Sequence, residues 1–149
     1  MADNHIDKLI SKLIKIYGTN DPFKIAKYLD IEVIDWSLKE VMGLYTKLIR
    51  QKFIFLNENL EVYEREFVCA HELGHALLHP DSNTPKLTRN SLISEIKAER
   101  EANYFGTNLL IRGTHQWELE NPTNIEILKY YGIPIEMERF LNDGFKENR

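Results

Sequence analysis

Apolar residues recur along the opening segment at helical spacing. Ile6, Leu9, Ile10, Leu13, Ile14 and Tyr17 share one face, and Gly18 is placed to end the helix. Asp21-Pro22 then opens a second helix, with Asp21 suited to the N-cap, Pro22 to the first helical position, and Phe23, Ala26 and Leu29 as its buried side. Residues 31–36 are β-branched and apolar-rich, which predicts a strand. Residues 44–56 predict a hairpin with Arg50-Gln51 near its turn; no Asn-Gly or Asp-Gly pair fixes the register.

After Asn57-Glu58-Asn59 a helical stretch runs to Pro80, which cannot continue it. Residues 81–89 read as a loop, and a second long helix is expected over about 92–111, closed by Gly113. Residues 124–131 predict a further helix, followed by a Gly132-Ile133-Pro134 turn and a short helix through Phe140 and Leu141. The pattern predicts an α+β fold with N-terminal helices, a short, mainly antiparallel sheet of about three strands, two long helices packed together, and C-terminal helices. One domain spanning 1–149 is expected, with 1–20 as its N-terminal helix and 115–149 as a C-terminal helical extension.

Composition narrows the function classes. A chain of 149 residues with 43% hydrophobic and 28% charged residues has the balance of a globular domain. Lys and Arg number 19 against 23 Asp and Glu, and the net charge of −4 argues against nucleic acid as a direct partner. No apolar run approaches the roughly 18 residues of a membrane span. The opening Met1-Ala2-Asp3-Asn4-His5 has neither the basic nor the apolar part of a signal peptide, so a cytoplasmic protein is expected. Cys69, the one cysteine, excludes an internal disulfide framework and reads as a small buried residue.

His71-Glu72-Leu73-Gly74-His75 is an H-E-x-x-H motif inside a predicted helix. Two histidines four apart stand one turn above each other, so both imidazoles can reach one tetrahedral zinc. Glu72, rotated by about 100° from His71, can face the reacting water and act as general base. Ala70, Leu73 and Leu77 cluster on the opposite, core side. Gly74, costly in mid-helix, implies that something packs close to it.

Three positions are weighed for a third ligand. Asp81 has the metzincin offset, but Leu78 stands where those enzymes need a glycine. His79 lies about 12 Å in axial rise from His71, too far to share the metal, which leaves it a supporting or helix-end role. On the second long helix Glu99 falls inside the core-facing arc with Ala98, Ala102 and Phe105, while Glu101 stands at its border. A carboxylate pointing into a core should be paired or metal-bound, so Glu99 is favoured over Glu101, with Asn103 on the same face placed to orient a ligand.

The stretch from Phe67 through His71-Glu72-Leu73-Gly74-His75 to His79, followed by Glu99-Arg-Glu-Ala-Asn-Tyr-Phe105 and Leu109-Leu110-Ile111, resembles the ImmA/IrrE metallopeptidases. Asp21-Pro22-Phe23 leading into Ile31-Glu32-Val33 matches the family's usual opening, and the Glu-x-x-Ala-Asn run is similar to the Glu-x-x-Ala-Asp helix of other gluzincins, which supports Glu99. Gly106 departs from the family's common alanine, with no consequence evident from sequence. The resemblance implies a gluzincin-like, zinc-dependent peptidase of a phage or integrative element that cleaves a helix-turn-helix repressor to relieve repression.

His71, His75 and Glu99 are then the expected metal ligands and Glu72 the catalytic base, with His79, Tyr104, His115, Tyr130 and Tyr131 as candidate donors to the oxyanion. An edge strand of the 44–56 hairpin can hold an extended substrate. The alternative is a non-proteolytic metal-binding anti-repressor that inactivates its repressor by binding. Ile125, Leu128, Tyr131, Ile133, Met137 and Phe140 have helix-turn-helix spacing, but Glu136 and Glu138 would repel phosphate, so this stretch reads as packing scaffold or docking surface. Trp36 and Trp117 read as core or domain-edge packing.

Overall fold

The computed structural model describes residues 3–82, 84–112 and 121–141. Helix α1 (Asn4–Tyr17) starts where the Asp3 side chain accepts from the backbone N–H groups of His5 and Ile6, and it buries Ile6, Ile10 and Leu13. It stops at Gly18, whose left-handed φ of 68° lets its N–H return to the Ile14 carbonyl. Helix α2 (Pro22–Tyr28) is capped by Asp21 as expected. Its fully buried residues are Ile25 and Ala26, while Phe23 and Leu29 are only partly covered.

Three strands, β1 (Ile31–Trp36), β2 (Gly43–Leu48) and β3 (Gln51–Asn57), form a sheet in the order β1-β3-β2. β2 and β3 are the expected hairpin, but β1 pairs with β3 in parallel, so the sheet is mixed rather than mainly antiparallel. The chain leaves β1, passes the place β3 will take, and runs back along the far edge as β2. The turn falls at Ile49-Arg50, one residue earlier than the sequence suggests, and Ile49 adopts a φ of 58° that a β-branched residue rarely takes.

Helix α3 (Val62–Leu78) opens with the Glu64 carboxylate accepting from the Glu61 N–H and ends at His79, just before Pro80. The expected long helix over 92–111 is two elements. Arg89–Ile93 is a 3-10 helix, and α4 (Lys97–Ile111) begins after an extended Ser94-Glu95-Ile96. The Ser94 hydroxyl accepts from the Ile96 N–H at 3.2 Å, one of the local side-chain bonds that compete with helix. Gly113, residues 115–120 with His115 and Trp117 among them, and residues 142–149 lie outside the described residues.

Helix α5 (Asn124–Tyr130) is capped by Thr123, and Ile135–Phe140 is a 3-10 helix rather than an α-helix. Ile127, Leu128, Ile133, Met137 and Phe140 are buried, and Asn108 on α4 donates to the Phe140 carbonyl at 2.9 Å. Within this stretch Ile135–Phe140 packs on both α4 and α5. Helix α3 makes its most extensive contact with α4 and packs its other side on β2 and β3. No described helix is long and apolar enough to cross a membrane.

Candidate metal centre

The middle of α3 is held closely from two directions. A Cβ added at Gly74 would lie 3.1 Å from Phe105 Cδ1 and 3.3 Å from Ala102 Cα, which explains the mid-helix glycine. From the other helix, a Cβ at Gly106 would lie 3.1 Å from the backbone nitrogen of His71. Gly106 therefore has a consequence the sequence does not reveal: it lets α4 approach the backbone that carries the first histidine. On the sheet side, Gly43 at the start of β2 has no room for a Cβ, which would fall 2.7 Å from Val68 Cγ1 and 3.5 Å from Glu72 Cγ.

This packing brings four polar side chains together. Ligand atoms of His71, Glu72 and His75 all lie within 4.8 Å of one another. Glu99, from the first turn of α4, places one carboxylate oxygen 2.7 Å from His75 Nε2 and the other 3.6 Å from His71 Nε2. His71, Glu72 and His75 have no exposed surface and Glu99 has 1%. The Nε2 atoms of both histidines and all four carboxylate oxygens of Glu72 and Glu99 have no hydrogen-bond partner among the described residues, although His75 and Glu99 nearly touch. Their lone pairs are aimed into a shared space rather than along N–H directions. Buried polar atoms are otherwise almost always satisfied, and two imidazoles with one carboxylate form a donor set that suits a transition-metal dication.

The other edge of each histidine is occupied. His71 Nδ1 lies 2.8 Å from Asn103 Oδ1, and Asn103 donates from Nδ2 to the Ser91 carbonyl at 3.3 Å. Asn103 thus sits against the reverse edge of the His71 ring. His75 Nδ1 lies 3.2 Å from His79 Nδ1, and His79 Nε2 lies 3.3 Å from Glu101 Oε1. Burial holds the His71 imidazolium value well below its ordinary range, helped by the neighbouring His75 and opposed by the Asn103 hydrogen bond. Burial, with the Glu99 charge second, holds the Glu72 carboxyl well above the carboxylate range.

Several sequence candidates stand elsewhere. Asp81 is exposed and pairs with Lys47 at 2.8 Å. Tyr104 is not an oxyanion donor: its hydroxyl accepts from the Asp3 N–H and donates to Asp7, both at 2.9 Å, tying α1 to α4. Tyr130 and Tyr131 line a cleft with Val62 and Tyr63 at the start of α3, about 12 Å of helix rise before His71. Cys69 is buried, and burial pushes its thiol value up, away from reactive thiolate character. Trp36 is 60% exposed at the end of β1, so it is not core. Gly43 is the site residue that sequence reasoning misses, since a glycine at a strand start carries no periodic signal.

Residues 26–140 match a family of peptidases described as the IrrE N-terminal-like domain. The chain is 42% identical over 138 residues to the "uncharacterized immunity region protein 2" of Bacillus phage phi105, covering 89% of this chain and 85% of that protein. It is 30% identical over 131 residues to Metallopeptidase ImmA of Bacillus subtilis (strain 168), covering 84% of this chain and 76% of that protein.

Proposed function

The chain belongs to the peptidase family of the IrrE N-terminal-like domain, a metallopeptidase family by its relative, and on that premise we propose that it is a zinc-dependent, gluzincin-type endopeptidase that cleaves a helix-turn-helix repressor. The observation that carries the metal part is the convergence of His71, His75 and Glu99, buried and without hydrogen bonds on the atoms that face one another. These three side chains would hold the ion, and Asn103 would fix the His71 ring. When bound, a divalent cation supplies Lewis-acid polarisation of water and of the peptide carbonyl, and its charge favours the ionised form of Glu72.

Glu72 is the group that moves the proton. It follows His71 directly, its carboxylate has no hydrogen-bond partner among the described residues, and a Cβ added at Gly43 would reach its Cγ at 3.5 Å. In this reading it takes a proton from the attacking water and hands it to the leaving amine. The substrate backbone is held in extended form by β2, the outer strand of the sheet. Leu87 pairs with the Gly43 end of that edge; beyond it, Leu44 to Lys47, Pro80 and Asp81 line a cleft of about 360 Å³.

A repressor as substrate is supported by the names of the relatives, one placed in a phage immunity region. The net charge of −4 suits approach to a basic DNA-binding protein, which acts in the cytoplasm. The test is incubation of the purified protein with a candidate helix-turn-helix repressor from the same genome, with zinc and with zinc plus chelator. Discrete, chelator-sensitive fragments are the expected result. A stable complex with intact repressor would replace the peptidase reading by the anti-repressor one, and neither cleavage nor binding would remove the repressor from both.

A further inference from the structure

We propose that His79 and Glu101 are positioning residues for the metal centre, forming with His75 a single carboxylate–imidazole–imidazole chain that fixes which nitrogen of His75 is free to ligate. The inference rests on the reading of His71, His75 and Glu99 as metal ligands. Its residues come from two helices: His79 caps the end of α3 one turn after His75, and Glu101 stands on α4 two residues after Glu99.

The chemistry follows from counting protons. His75 Nε2 points toward Glu99 and His71, so a ligating His75 must keep its lone pair on Nε2 and its proton on Nδ1. That Nδ1 lies 3.2 Å from Nδ1 of His79, and two facing ring nitrogens can share only one proton. With the proton on His75, His79 must accept at Nδ1 and carry its own proton on Nε2. His79 Nε2 lies 3.3 Å from Glu101 Oε1, a carboxylate that can only accept. Every bond in the chain therefore points outward, and each step selects the same tautomer. If Glu101 were absent, nothing in this chain would oppose the reversed arrangement, in which His79 Nδ1–H donates to His75 Nδ1 and the His75 proton moves to Nε2, the nitrogen needed for the metal.

The two histidines thus receive unequal support. His71 is backed by a neutral amide that is itself completely buried, whereas His75 is backed by a chain ending in a negative charge. The side chains of His79 and Glu101 retain 14% and 22% exposure, so this chain runs from the metal centre to the surface. Sequence spacing alone puts His79 too far from His71 to ligate; the structure gives it a task on the reverse edge of its neighbour.

The test compares wild type with His79→Ala, Glu101→Ala, Glu101→Gln and the H79A/E101A double variant. Zinc affinity is read by competition with a chromophoric chelator, and the visible spectrum of the cobalt-substituted protein reports ligand geometry. Thermal unfolding of the metal-free proteins checks the fold, and Glu101, partly exposed, is the variant least able to disturb it. His79→Ala and Glu101→Ala are each expected to weaken zinc by about 10–100-fold and to shift the cobalt bands, with Glu101→Gln intermediate. Because the residues act in series, the double variant should lose no more than the worse single one. Losses that multiply in the double variant, or unchanged affinity and spectrum in a folded Glu101→Ala, would overturn the chain while leaving the metal centre standing. A wild-type protein that binds no zinc or cobalt would instead overturn the reading beneath it.

Discussion

Replacing Glu72 by Gln separates the electrostatics of the site from its chemistry, because the substitution keeps shape and removes charge. In the folded chain Glu72 is completely buried, its carboxylate oxygens have no hydrogen-bond partner among the described residues, and the Glu99 charge opposes its ionisation. Without metal it keeps its proton well above the ordinary 4.5, whereas the unfolded chain releases it there. The native state then binds the extra proton, so stability falls as pH rises from 4.5 until the folded value is passed. His71 works in the other direction: its imidazole, held neutral by burial, cannot take the proton that the unfolded chain gains below 6.5. The two contributions have opposite signs, and comparing Glu72→Gln with wild type isolates that of Glu72, because His71 is common to both proteins. One full proton corresponds to at most about 1.4 kcal/mol per pH unit, or about 3–5 °C in Tm for a domain of this size. The assay is thermal unfolding of metal-free wild type and Glu72→Gln, in chelator, at several pH values from 4.5 upward. The variant should be the more stable, by a margin that widens with pH. A margin constant across that range would refute the picture of a buried, protonated carboxyl.

Four further outcomes are expected. The zinc-loaded Glu72→Gln protein should retain its metal and lose about 10²–10⁴ in peptide hydrolysis, measured on the same repressor, and retained activity would remove Glu72 from the reaction. Zinc at about 100 times its Kd should stabilise the wild type by about 2.7 kcal/mol, read as a Tm rise of about 5–10 °C that is absent in His71→Ala. Gly43→Ala should destabilise by about 1–3 kcal/mol in denaturant unfolding, because its Cβ would press on Val68 and on the Phe55 carbonyl, whereas Tyr104→Phe should cost about 1–2 kcal/mol through Asp3 and Asp7 and leave kcat unchanged.

Most of the site was legible because it lies on helices, where a fixed rotation per residue turns spacing into direction. His71 and His75 had to share a face, and Glu99 had to point into the core while Glu101 did not; the burial of Glu99 at 1% follows. The same logic puts Asn103 on the face of Glu99; that its amide meets the His71 ring is seen only in the structure. What could not be read depends on contacts between elements distant in sequence. That β1 lies parallel to β3 depends on the path of 37–42, which is held by contacts distant in sequence: Asn57 donates to the Lys39, Val41 and Met42 carbonyls. The start of α4 was placed too early because Leu92 and Ile93 continue an apolar pattern that a 3-10 turn also satisfies. The turn at Ile49 carries no glycine, so its left-handed backbone left no trace in composition.

The glycines explain why these polar groups are buried at all. Two carboxylates and two imidazoles inside a core are unfavourable unless something satisfies them, and a looser helix pair would let water or a rotamer change do so. Gly74 and Gly106 draw α3 and α4 together until backbone meets side chain, while Gly43 presses the sheet onto Val68 and Glu72 from the other side. Relaxation by sliding apart is therefore opposed on two faces of the same helix. The packing energy of the core holds the donor atoms in an arrangement that is poor for the metal-free chain and suited to a dication. Such conflict between local electrostatics and global packing is the signature of a functional site. It also makes stability and metal affinity one measurement: any substitution that lets the helices separate should raise the tolerance of the metal-free protein to Glu72 ionisation and weaken binding of an added divalent metal together.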